Sequence, residues 1–121
     1  MGYQVLLVDD IATNRKLMRA VLKGNPEIAF LEATDGFQAV QLMAEHDVDL
    51  VVLDLMMPGM NGVEATRAIR QQCPDVRVIA LTSFAEDQLV QQALEAGAIG
   101  YLLKNVSHEE LAQAIRAAYA G

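Results

Sequence analysis

The chain has 121 residues and a mass of 13.2 kDa, enough for one domain with one well-buried core. Hydrophobic residues make up 53% of it, which excludes a disordered tail. Nine basic against 16 acidic residues leave a net charge of −7, which argues against nucleic-acid binding by this segment alone, because phosphate backbones recruit basic patches. The one cysteine, Cys73, cannot form an internal disulfide and is too little for a zinc site. No apolar run approaches the roughly 20 residues that span a bilayer. Met1-Gly2-Tyr3-Gln4 lacks the basic start of a signal peptide. These features predict a soluble cytoplasmic protein away from membranes.

The first strand is Val5-Leu6-Leu7-Val8. A stripe of Ile11, Leu17, Met18, Val21 and Leu22 predicts a helix, closed by Gly24-Asn25-Pro26. Ile28-Ala29-Phe30-Leu31 is a second strand, followed by a helix with Phe37, Val40 and Ala44 on its apolar face. Leu50-Val51-Val52-Leu53 is a third strand. Val63, Thr66 and Ile69 mark the next helix, stopped by Cys73-Pro74-Asp75. Val78-Ile79-Ala80-Leu81 precedes a helix carrying Leu89, Ala93 and Leu94, with Gly97 after it. Residues 99–103 form the last strand. The final helix buries Leu111, Ala114, Ile115 and Ala118; Ser107 and Glu110 have capping-box spacing at its start, and Gly121 closes it.

The apolar runs are continuous rather than alternating, as in strands covered on both faces. Five strands alternating with five helices predict an α/β fold: a doubly wound, five-stranded parallel sheet with right-handed crossovers and strand order 2-1-3-4-5. Residues 1–121 form one domain on this reading.

In such sheets, sites form beyond the carboxyl ends of the strands, where strand order reverses. The residues found there are Asp9 and Asp10 after the first strand, Asp54 after the third, Thr82 and Ser83 after the fourth, and Lys104 after the fifth. Three carboxylates brought together repel one another unless positive charge sits among them. Lys104 supplies one charge, and a hard divalent cation such as Mg²⁺ supplies more. A phosphoryl group can then sit beside Asp54, which can itself act as nucleophile and form an acyl phosphate. Each residue also has a plainer reading. Asp9-Asp10 serves as a helix N-cap, Asp54 as a turn residue, Thr82 as a cap, and Lys104 as a solvated side chain.

Four pieces at these strand ends resemble a known family. They are Val5-Leu6-Leu7-Val8-Asp9-Asp10, Asp54-Leu55-Met56-Met57-Pro58-Gly59-Met60-Asn61-Gly62, Leu81-Thr82-Ser83 and Gly100-Tyr101-Leu102-Leu103-Lys104. The sequence resembles the receiver domains of two-component response regulators, with the chemotaxis-type, flavodoxin-like fold. The resemblance implies that Asp54 takes phosphate from a phosphohistidine on a sensor histidine kinase. It implies Mg²⁺ (or Mn²⁺) bound by Asp10, Asp54 and the Met56 backbone carbonyl, with Asp9 acting through water. Thr82 and Lys104 then contact the phosphoryl group, and Tyr101 moves inward as an aromatic switch. Such a domain is a phosphorelay switch rather than an enzyme, although it supports its own phosphotransfer and slow autodephosphorylation. Its output is the face made by the fourth helix, fifth strand and fifth helix, with a homodimer formed on phosphorylation.

The segments from Leu81 to Phe84 and from Ala96 to Lys104 are most similar to receivers of NarL/LuxR-type transcriptional regulators. These imply control of a helix-turn-helix domain outside this chain, so that DNA is reached only through that domain. Two departures stand out. Asn105 follows Lys104 where many receivers have proline, and both Met56 and Phe84, flanking the phosphate site, are apolar. Neither can orient an attacking water, so a long-lived acyl phosphate is expected. Tyr101 also reads as packing on the sheet edge, the Met56-Met57 pair as core filler, His46 and His108 as surface residues, and Cys73 as an inert thiol.

Three rival readings fit less well. A flavin-binding relative needs a phosphate-cradling loop where Asp9-Asp10 stands. An aspartate-nucleophile phosphohydrolase places its nucleophile after the first strand and needs a cap domain. A pseudo-receiver with a dead site does not explain the complete set of Asp9, Asp10, Asp54, Thr82 and Lys104.

Overall fold

The computed structural model describes residues 3–23, 28–57, 59–82, 88–105 and 107–120. Five strands run β1 (Tyr3–Val8), β2 (Ile28–Ala33), β3 (Leu50–Asp54), β4 (Arg77–Thr82) and β5 (Gly100–Leu103). Helices α1 (Ala12–Leu22), α2 (Gly36–Glu45), α3 (Gly62–Gln72), α4 (Gln88–Ala96) and α5 (His108–Ala120) alternate with them. The sheet is parallel throughout, in the order β2-β1-β3-β4-β5. This is the expected flavodoxin-like arrangement.

Strand alternation divides the core in two. Leu6, Val8, Val51 and Leu53 face α2, α3 and α4, where they meet Met43, Ile69 and Ala93. Val5, Leu7, Leu50 and Val52 face α1 and α5, where they meet Met18, Leu111 and Ile115. Each such aliphatic side chain contributes about 1.5–3 kcal/mol by burial. Full burial on both faces holds for β1, β3 and β4 but not for the outer strands. β2 and β5 each have only one neighbour, so their side chains are largely half-buried.

The helix faces need correction in three places. In α2 the buried face is Gly36, Ala39 and Met43; Phe37 points outward at 64% exposure, and Ala44 is exposed. The inward position is taken by Gly36, where a Cβ would lie 2.8 Å from Met60 Sδ, and its neighbour Phe37 therefore faces away. In α1, Met18 is buried whereas Ile11 and Leu17 are exposed. Ile11 precedes the helix as its N-cap, which takes it off the buried stripe. The side chains of Val21 and Leu22 lie outside the described residues, as do Gly24, Asn25, Pro26, Pro58, Ser83, Phe84 and Gly121. The expected α3 stripe is buried, and so are Leu111, Ile115 and Ala118 of α5, with Ala114 half-buried. In α4 the buried pair is Val90 and Ala93, whereas Leu89 is half-buried and Leu94 exposed, because the helix face toward the core runs through Val90 rather than Leu94.

Capping is partly as expected. Ser107 Oγ accepts from the Glu110 N–H (3.1 Å), one half of the expected box. A reciprocal capping box stands instead at α3: Asn61 Oδ1 accepts from Glu64 N (2.9 Å), and Glu64 Oε1 from Asn61 N (3.1 Å). Gly97 ends α4 with φ 117°, the Ala98 N–H reaching Ala93 O (3.0 Å) and the Gly97 N–H reaching Leu94 O (3.1 Å). That double bond pattern is a Schellman closure, which favours glycine at its positive-φ position.

Gly62 matters for a different reason. A Cβ there would lie 2.5 Å from Leu55 Cα and 2.6 Å from Asp54 O, both backbone atoms. The start of α3 thus lies directly against the end of β3. Gly62→Ala is expected to lower stability by about 1–3 kcal/mol through overpacking, read as a fall in the urea midpoint. Gly36→Ala, whose methyl meets only the Met60 side chain, is expected to cost less in the same assay.

Candidate functional site

The carboxyl ends of β1, β3, β4 and β5 bring together most of the predicted residues. Asp9 follows β1 and is completely buried, its N–H donating to Ala33 O of β2 (3.1 Å). Its Oδ1 accepts from Ile11 N (2.9 Å) and its Oδ2 from Asn14 Nδ2 (3.2 Å). The N-cap of α1 is Ile11, which makes no side-chain cap bond, so the acidic pair does not cap that helix. Asp10 is exposed. Asp54 is the last residue of β3 and is completely buried, with Oδ1 accepting from Met56 N (3.0 Å).

Lys104 enters from β5. Its N–H donates to Thr82 O (2.8 Å), and its Nζ lies 2.9 Å from Asp54 Oδ2 and 3.9 Å from Asp9 Oδ2. Asp54 Oδ2 is buried and receives no hydrogen bond among the described residues; the Lys104 ammonium beside it supplies positive charge. Oxygens of Asp9, Asp10 and Asp54 lie within 4.8 Å of one another. Thr82 ends β4 next to them, almost fully buried.

Two residues that the sequence reading passed over complete the site. Asn14 holds Asp9 Oδ2. Arg15 donates through Nη1 to the Asp9 carbonyl (2.7 Å) and through Nε to Glu32 on β2 (3.0 Å), tying α1 to both strands. No motif in the sequence marks them; only the fold, which lays the first turn of α1 beside the end of β1, brings them to Asp9.

Other expected residues stand apart. Tyr101 is exposed and lies outside the carboxylate cluster, on β5 opposite Ala80, where it lines a groove with Ile99, Ala114, Ala117 and Ala118. Met57 is core, but Met56 is not: its side chain is 57% exposed. His46 is exposed at the end of α2, and Cys73 is a half-buried free thiol. The side chain of His108 lies outside the described residues.

A family profile described as the response regulator receiver domain matches residues 5–116. The chain belongs to that family. It is 44% identical to the transcriptional regulatory protein LiaR of Bacillus subtilis over 119 residues, 98% of this chain and 56% of that protein. It is 41% identical to the response regulator UvrY of Escherichia coli over 118 residues, 97% of this chain and 54% of that protein. The chain therefore spans about half the length of the curated relatives it matches. Among solved structures, a LuxR-family response regulator from Aurantimonas sp. superposes with a TM-score of 0.91 at 38% identity, covering all of this chain and 87% of the other. The chemotaxis protein CheY4 of Vibrio cholerae gives 0.90 at 26%, covering 98% and 99%. The chain is a receiver domain of the two-component response regulator type, similar to those of NarL/LuxR-type regulators. No helix among the described residues is long and apolar enough to cross a membrane.

The all-oxygen acidic cluster of this receiver fits a Mg²⁺ site, since a hard cation takes carboxylate oxygens and neutralises their mutual repulsion. Burial pushes the Asp9 carboxyl above its ordinary value of 3.8. The bond from Ile11 N opposes this, the charge of Asp54 adds to it, and Lys104 and Asn14 oppose it. The folded state therefore holds this proton more tightly than the unfolded state. Without divalent cations, the Asp9 contribution is most favourable below the ordinary value and declines as pH rises through the raised one. Asp9→Asn is expected to flatten that decline, measured as urea stability across a pH series.

Proposed function

We propose that Asp54 accepts a phosphoryl group from a phosphohistidine on a sensor histidine kinase. The observation that carries this reading is the buried Asp54 carboxylate at a central strand end, one oxygen lacking a hydrogen-bond donor and facing the Lys104 ammonium. In the transfer, a carboxylate oxygen of Asp54 forms a bond to phosphorus as the phosphorus–nitrogen bond breaks, and the histidine keeps that electron pair. Lys104 balances charge on the incoming phosphoryl oxygens, and Thr82 donates its hydroxyl to one of them. Asp10, Asp54 and the Met56 carbonyl would hold Mg²⁺ (or Mn²⁺), with Asp9 acting through water. When bound, the cation supplies positive charge to the carboxylates and to the phosphoryl group.

Tyr101 moves inward after Thr82 follows the phosphoryl group, and this alters the α4-β5-α5 face. The domain is a switch that supports its own phosphotransfer and slow autodephosphorylation. Phosphorylation favours a homodimer, and DNA is reached through an output domain outside residues 1–121. The reading places the protein in the cytoplasm. Relatives named as transcriptional regulators support this output.

Incubation with Mg²⁺ and acetyl phosphate is expected to add one phosphoryl group by intact mass, and Asp54→Ala to abolish it. No Mg²⁺-dependent addition overturns the reading. The exposed, apolar Met56 side chain also makes the acyl phosphate long-lived, because a thioether holds an attacking water poorly. Met56→Asn is expected to shorten its lifetime; equal rates in the two proteins remove that argument. Phe84, the other apolar residue in this expectation, lies outside the described residues.

A further inference from the structure

Five methionines fall within the described residues, and their environments differ sharply. Met18, Met43 and Met57 are buried at 4%, 4% and 7% exposure, and Met60 is half-buried. Met56 is 57% exposed. Its backbone is nonetheless fixed, because its N–H donates to Asp54 Oδ1 (3.0 Å). Its side chain lies over a shallow pocket lined by Leu55, Met57, Asn61 and Leu89. The most exposed methionine among the described residues is therefore pinned two residues from Asp54.

We infer that Met56 is a methionine oxidation site whose sulfoxide shortens the life of a phosphoryl group on Asp54. The inference rests on the reading of Asp54 as phosphoacceptor. The oxidant is a hydroperoxide. The sulfur lone pair attacks one peroxide oxygen, the oxygen–oxygen bond breaks, and the sulfur–oxygen bond forms. The other oxygen leaves with both protons, as water when the oxidant is hydrogen peroxide. The product is a polar side chain with a strong hydrogen-bond acceptor where a weak one stood. Such an acceptor can hold a water beside Asp54. In hydrolysis the water oxygen bonds to phosphorus, the bond from phosphorus to the Asp54 oxygen breaks, and the carboxylate leaves with the electron pair. The water's protons pass to the phosphate and to solvent. Accessibility thus couples peroxide exposure to signal lifetime, and methionine sulfoxide reduction reverses it.

The test treats the full chain with hydrogen peroxide and maps oxidation by peptide mass spectrometry. Treated and untreated protein are then loaded with acetyl phosphate and Mg²⁺, and loss of phosphate is followed by intact mass after the donor is removed. The expected results are oxidation at Met56 ahead of Met60 and the buried methionines, and a several-fold shorter phosphoryl lifetime after treatment. In Met56→Leu the treated and untreated lifetimes should coincide, and methionine sulfoxide reductase should restore the treated wild type. Oxidation elsewhere with Met56 intact overturns the inference, as does an unchanged lifetime. Acceleration that persists in Met56→Leu also overturns it, by assigning the effect to another group such as Cys73. If untreated protein never takes up phosphate, the reading of Asp54 fails and this inference with it; a labelled protein whose lifetime ignores oxidation fails the inference alone.

Discussion

Two carboxylates, Asp9 and Asp54, are completely buried at the carboxyl ends of the central strands, and the Lys104 ammonium stands near both. Removing ionised groups from water costs several kcal/mol each unless other charges and donors replace the lost hydration. Nearly everything around the site serves that replacement. Backbone N–H groups from Ile11 and Met56 each reach one carboxylate, and Asn14 reaches another oxygen. One oxygen of Asp54 has no hydrogen-bond donor among the described residues and is offset by the Lys104 ammonium 2.9 Å away. Three carboxylates against that one ammonium leave negative charge in excess, which a hard cation would offset.

The topology that sustains the imbalance is simple. With β1 beside β3 at the centre, the residues ending these two strands become neighbours, although 45 positions separate Asp9 from Asp54 in the chain. β4 and β5 follow on one side and deliver Thr82 and Lys104. This much was legible in the sequence because each central strand is an unbroken apolar run that stops at a polar or charged residue. Burial on both faces removes alternation, and the first ionisable residue then marks the strand end.

Legibility failed where tertiary context outweighs local pattern. Phe37 looks like a core residue by helical period, yet its helix turns Gly36, Ala39 and Met43 inward, and Met60 packs where a Cβ on Gly36 would stand. Ile11 belongs to an apolar stripe by spacing, but it lies before the first helical turn. The outer strands carry core-like runs and are half-exposed, since strand position in a sheet is not a local property. Asn14 and Arg15 are ordinary polar residues of an exposed helix until the fold brings α1 over the end of β1. The capping box of Asn61 and Glu64 sits inside the segment that identifies the family, where the acidic chemistry draws attention away from helix initiation.

The bond from the Lys104 N–H to Thr82 O ties the root of the lysine side chain to the strand beside it. β4 and β5 are in parallel register from Ile79 opposite Gly100 to Thr82 opposite Leu103. A parallel strand advances about 3.3 Å per residue, so a slip of one position would carry the ammonium out of contact with Asp54 and turn neighbouring side chains to the opposite face. Strand alignment at the far edge of the sheet therefore acts as a ruler for charge spacing at its centre. Apolar packing along β5 sets how accurately that ruler reads.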